Sequence, residues 1–339
     1  MIPGNPTGKE LAPSQARLLS TRIADLQLSI HGTRLEFLLK DLYKELETAG
    51  LANFKPEAYL SDEWGCPAGV PVIGIPFYLA SPDLCELECR VTGVEAESDD
   101  EIMMYLRHEA GHAFNYAHKL YEQAEWSKIF GNYKSAYRET YGVVPFSSKF
   151  VRHIPGWYAQ KHPDDDFAET FAVWLTPGSE WAKVYKGTQA LKKLLYVDKV
   201  AERHNHQPTV ITKRALDTPV EEMTMTLDSW YRTFSQHIHE KQITNPILDE
   251  DLKRAFPDVT GEPAAGVIEQ EKIQLVYEIN RWTGLERHIV SELVEELIKR
   301  TETLGLKIEP ANKEASLKTF AIIATTLATN FLSRGTFIE

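Results

Sequence analysis

Residues 105–117, YLRHEAGHAFNYA, constrain this chain more than any other stretch. They set His108, Glu109 and His112, polar groups that are costly to bury without partners, within an apolar series at helical spacing: Ile102, Met103, Leu106, Ala110, Ala113, Phe114 and Ala117. Ser98 and Glu101 form a capping-box pattern and acids fill the first turn, so a helix is predicted from Ser98. On a helix, residues i and i+4 share a face. His108 and His112 can therefore offer imidazole nitrogens to one ion, with Glu109 alongside a bound water, which is the HExxH arrangement. The competing reading is a solvated polar helix face. Gly111 argues against it, because a glycine inside a helix costs about 1 kcal/mol relative to alanine, and close approach of another backbone would compensate.

Zinc takes a third protein ligand and keeps a position open for water. One candidate is His118, since HEAGHAFNYAH has the spacing of HExxHxxGxxH, with Asn115 where the turn glycine stands. Asparagine tolerates the left-handed conformation that such a turn requires. Against this, AHKLYEQAEW reads as continued helix, which would turn His118 away from the other histidines. The next methionine after the motif is Met223, so no Met-turn follows nearby.

The second candidate lies in HPDDDFAETFAVWL, residues 162–175. Pro163 suits a first helical position, and Phe167, Phe171, Trp174 and Leu175 trace a buried face. Asp165 and Glu169 are again four apart, beside the small Ala168 and Ala172, so this helix is expected to approach Gly111 and carry carboxylates to the same ion. An acidic first turn that complements the helix dipole explains the aspartates but not Glu169.

HEAGH followed by a D-D-F-A-E helix resembles the gluzincin class of zinc metallopeptidases, whose downstream helix often reads E-x-x-A-D or E-F-F-A-E. The resemblance implies a third zinc ligand at Asp165 and, at Glu169, an acid supporting a histidine ligand; because aspartate stands first here, Glu169 remains an alternative ligand. Tyr158 lies seven residues before Asp165, the spacing at which lethal-factor-like gluzincins carry a tyrosine that can stabilise an oxyanion. A packing role for Tyr158 stands beside that one. With YLSDEW, IPFYLA and RHEAGH added, residues 25 to 200 are similar to bacterial proteins described as putative zinc-binding metallopeptidases.

The formal net charge of -12 and the absence of a long Lys/Arg block argue against a nucleic-acid partner and an anionic membrane. MIPGNPTGKE lacks the apolar core of a secretory signal, and residues 320–332, FAIIATTLATNFL, look too short and threonine-rich to span a bilayer. A cytoplasmic location is expected. Cys66, Cys85 and Cys89 form no disulfide framework and read as buried thiols. His204, His206, His237 and His239 read as surface or capping residues, and no phosphate-loop, nucleophile-elbow or dinucleotide motif is present.

Along the chain, residues 14–49 are predicted helical with a break at 31–33. Short strands are expected at VPVIGI, PFYLA and ECRVTGVE, and helices over much of 179–240. Residues 241–266, with three prolines and two glycines, read as a linker, followed by helices near 267–305 and 314–333. The expectation is a predominantly helical α+β fold: a zincin-like domain over 1–240 with a small sheet, and a helical region over 267–339. The expected function is zinc-dependent hydrolysis of peptide bonds, acting on a peptide or protein substrate, with a non-catalytic binding or regulatory module on the same fold as the alternative.

Overall fold

The computed structural model describes residues 13–92, 94–137, 141–205, 215–236 and 245–338. The fold is a predominantly helical α+β arrangement with very little sheet. Helices α1 (Pro13–Ser20) and α2 (Arg34–Thr48) are separated by residues 21–33, a longer break than the one expected at 31–33, which holds a 3-10 turn (Ile23–Leu26) before Gly32 at φ +79° and Thr33, the cap of α2. Strands β1 (Glu57–Ser61) and β2 (Val72–Pro76) pair in parallel, and β2 is buried along its whole length. Two of the three expected strands are corrected. PFYLA forms a 3-10 turn (Phe77–Ala80), and most of ECRVTGVE lies in helix α3 (Pro82–Thr92). Pro82 at the helix start and buried Leu84 and Leu87, three apart, set that helix, and neither feature depends on the two-residue alternation that suggests a strand.

Helix α4 (Asp99–Ala117) carries HEAGH and begins with the predicted capping box. Then come α5 (Ala124–Phe130), α6 (Pro163–Leu175), α7 (Trp181–Val184), α8 (Ala190–His204) and α9 (Leu227–Gln236). A large apolar core runs from Leu19 to Tyr231 and centres on α2, α4, α6 and α8. In the rest of the chain, α10 (Pro246–Ala255), α11 (Ala264–Thr283), α12 (Arg287–Thr303) and α13 (Lys313–Arg334) build a second core, and β3 (Glu262–Pro263) pairs antiparallel with β4 (Lys307–Ile308).

The linker expectation fails over its described part. Asn245 caps α10 and Pro246 takes its first position, so a proline that suggests a loop is here a helix start; Leu248, Leu252 and Ala255 join the second core. Residues 241–244, His206, His237, His239 and the MIPGNPTGKE segment lie outside the described residues. The apolar late stretch is also longer than expected. Residues 310–334 form a helical stretch long and apolar enough to cross a membrane, with mean hydropathy 1.2, yet Phe320, Ala324, Leu327 and Ala328 pack into the second core.

The two cores meet beside α4. Arg287 at the start of α12 pairs with Glu101 in the first turn of α4, and Ser291 donates to the Thr92 carbonyl at 3.2 Å. The backbones touch at Gly156 and Gly284, where a Cβ on Gly156 would fall 2.3 Å from the Gly284 Cα.

The packing that positions the site is that of α4 on α6. A Cβ at Gly111 would lie 2.8 Å from the Ala168 Cα and 2.9 Å from its carbonyl oxygen. Both neighbours are backbone and cannot swing aside. Gly111→Ala is therefore expected to destabilise the chain by about 2 kcal/mol or more in urea unfolding. Gly266→Ala, where a Cβ meets nothing within 4 Å, should leave stability unchanged or raise it by about 0.5 kcal/mol. Equal effects at the two positions would refute the close-packing account.

Candidate metal centre

From α4, His108 and His112 project toward the first turn of α6, and their Nε2 atoms lie 3.1 Å apart. The Asp165 Oδ1 atom is 3.8 Å from His108 Nε2 and 3.6 Å from His112 Nε2. Four ligands held at 2.0–2.1 Å around a tetrahedral ion are separated by roughly 3.3 Å, so the three donors nearly trace one face of such a shell. Asp165 is 1% exposed, and its Oδ2 has no hydrogen-bond partner. A buried carboxylate oxygen left unpaired is expensive without a cation. The donor set of two imidazoles and one carboxylate suits zinc and leaves a tetrahedral position open.

Each histidine has a carboxylate behind it. Glu169 Oε1 is 2.9 Å from His108 Nδ1, and the Glu169 carboxylate also accepts from the backbone N–H groups of His153 and Ile154. Asp164 Oδ2 is 3.1 Å from His112 Nδ1, while Asn115 and Tyr116 donate to the same carboxylate. Such contacts fix which ring nitrogen carries the proton and turn the other toward the ion.

The electrostatics follow from burial. Desolvation, with His112 nearby, pushes His108 down to about 3. Burial also opposes protonation of His112, but Asp164 and Asp165 outweigh it and hold His112 well above the ordinary imidazole range. Burial raises Glu169 and Glu109 each to about 7. The pocket thus holds more carboxylate than its own side chains neutralise.

His108 and Glu109 line a cleft of about 710 Å³. Glu109 is 5% exposed, with Oε2 unpaired. The Tyr158 ring sits 5.4 Å from the His108 ring, and burial together with Asp165 holds its phenol protonated, far above the usual range. Tyr137, which sequence reasoning missed, donates to Asp165 Oδ1 at 3.2 Å and hydrogen-bonds Tyr158.

The structure thus gathers His108, His112 and Asp165 as donors, sets Glu169 behind His108, and leaves Glu109 and Tyr158 at the cleft. His118 is not in the group. Helix α4 ends at Ala117 and Lys119 turns left-handed, correcting the expected continuous helix, but the His118 ring packs on Phe114 and His204 instead. Asn115 stays helical and serves Asp164. His204 is buried and bonds the Val200 carbonyl, contrary to the surface expectation, and the three cysteines are free and only half-buried.

Family models, curated proteins and solved structures were all searched, and none matches this chain.

Tyr116 donates to a carboxylate that is 5% exposed. A hydrogen bond to a buried charged group contributes about 1.5–3 kcal/mol, so Tyr116→Phe should lower the unfolding free energy of chelator-treated protein by that amount. A loss below about 0.5 kcal/mol would mean that Asp164 does not depend on this donor.

Proposed function

We propose that the chain is a zinc-dependent metallopeptidase with a zincin-like catalytic domain, working in a reducing, cytoplasmic compartment. The observation that carries the reading is the convergence of three donor atoms, each histidine backed by a carboxylate, beside a cleft that His108 and the Glu109 carboxyl, with its unpaired Oε2, both line. The three free cysteines support the compartment.

Zinc held by His108, His112 and Asp165 would supply Lewis acidity, polarising a scissile carbonyl and making a water easier to deprotonate. Glu109 accepts that water's proton through its free oxygen and returns it to the leaving amine nitrogen. Tyr158, kept as a phenol, donates a hydrogen bond where negative charge develops on the carbonyl oxygen. Glu169 and Asp164 keep the imidazoles in the tautomers that bind through Nε2.

Purified wild-type chain is expected to contain close to one zinc. His118→Ala should keep it, and His112→Ala and Asp165→Ala should lose it. Glu169→Gln and Asp164→Asn should weaken binding about 10- to 100-fold in a chelator competition. A wild-type chain that stays metal-free after remetallation sinks the reading.

Glu109→Gln separates catalysis from binding. It should retain zinc while hydrolysis of a mixed peptide library falls at least about 100-fold. Unchanged hydrolysis would exclude Glu109 as the proton acceptor, and a zinc-loaded wild type without hydrolysis would favour the non-catalytic module.

A further inference from the structure

The cleft beside the metal centre has two walls. One belongs to the catalytic part, with Asp62, Glu63, Glu95 and Glu97 on it. The other is the C-terminal unit, which contributes Glu286, Glu292, Glu295 and Glu296, three of them on α12. Among the described residues, ten acidic side chains line the cleft against three lysines or arginines. Two of the acids already have ammonium partners, Glu296 in Lys299 and Glu295 in Lys272, and Arg287 is engaged by Glu101 outside the cleft lining.

Burial and the neighbouring Glu295 and Glu296 push Glu292 up to about 8, as expected where negative potential is under-compensated. A buried carboxyl oxygen opens the same demand further in, since Glu109 Oε2 lacks a hydrogen-bond partner and Glu109 is 5% exposed. Aromatic faces accompany the acids, with Trp64 stacked on Tyr105 and Trp230 nearby. Carboxylates interleaved with aromatic rings are suited to bind ammonium and guanidinium groups.

We propose that α12 is the specificity wall of this cleft, and that the cleft takes peptide segments carrying lysine or arginine. The peptide as occupant rests on the metallopeptidase reading, whereas the preference for positive charge rests on the cleft walls alone. A cationic side chain lying between α12 and residues 94–97 relieves the repulsion among Glu292, Glu295 and Glu296. An acidic peptide adds to it.

The test uses the full-length wild-type chain at 4 °C with a fluorescein-labelled decapeptide containing four lysines, and its glutamine-substituted counterpart. Initial anisotropy reads binding, and mass spectrometry of the same samples reads cleavage. In low salt the lysine peptide should bind at least tenfold tighter, a preference that shrinks as salt rises. Glu292→Lys should weaken its binding at least fivefold and the volume-preserving Glu292→Gln by less. Glu47→Lys, on an exposed face of α2 away from the cleft, should leave it unchanged. Equal binding of the two peptides, or equal losses in Glu292→Lys and Glu47→Lys, would overturn the proposal. Cleavage of both peptides without preference would overturn it while sparing the hydrolase reading. Tight, Glu292-dependent binding of an uncleaved lysine peptide would support the acidic, cation-accepting cleft and count against hydrolysis.

Discussion

The contact of Gly111 with the backbone of Ala168 is the constraint on which the rest of the site depends. Imidazole and carboxylate arms are short, and an aspartate oxygen lies only three bonds beyond its Cα. For Asp165 to come within 4 Å of two histidines on another helix, the two helix axes must approach more closely than side chains on both sides normally permit. Removing the Cβ on one helix and keeping only a methyl on the other allows it. The helix-propensity cost of Gly111 is thereby tied to the chemistry of its neighbours.

That approach creates a second problem, which the polar ladder behind the donors solves. His108, His112, Asp165 and Glu169 are withdrawn from water together, and each would be costly there alone. Glu169 meets it by accepting from two backbone N–H groups as well as facing His108, and Asp164 by taking Asn115 and Tyr116 as donors. Asp165 Oδ2 and Glu109 Oε2 are left without hydrogen-bond partners, as are His112 Nδ1 and Asn115 Oδ1 behind the donors. Under the metallopeptidase reading, a cation and a water would supply partners for the two carboxylate oxygens.

Much of this geometry is legible in the amino-acid order because it rests on local periodicity. The i, i+4 pairs, the Ser98 capping box and the small residues at 111, 168 and 172 are local signals, and they place α4, α6 and their mutual approach. Asp164 and Tyr137 were not legible in the same way. An aspartate in a first turn is explained equally well by the helix dipole, and only the three-dimensional neighbourhood of Asn115 and Tyr116 distinguishes the two roles. Tyr137 lies in irregular chain, where no period says which way a side chain points. The misread strands at PFYLA and ECRVTGVE have a related cause: short apolar runs fit a strand, a turn or one helix face until their packing partners are known. The contribution of α12 to the cleft was invisible for a stronger reason, since it arises from contacts between residues almost 200 positions apart.

The three consecutive aspartates of α6 show how one helical turn can serve three separate demands. Successive residues on a helix point about 100° apart, so Asp164, Asp165 and Asp166 fan across more than half of the circumference. Asp164 reaches back to His112, Asp165 faces the donor cluster, and Asp166 pairs with Lys193 on α8 at 2.6 Å. All three are buried, so rotating or shifting α6 by a single residue would misplace every one of them at once. Pro163 and the His162 ring, which accepts from the Asp164 N–H, fix where the helix begins and hence its phase. The start of α6 is therefore a registration device: what reads in sequence as a generic acidic first turn sets the angular position of the third donor relative to the two histidines.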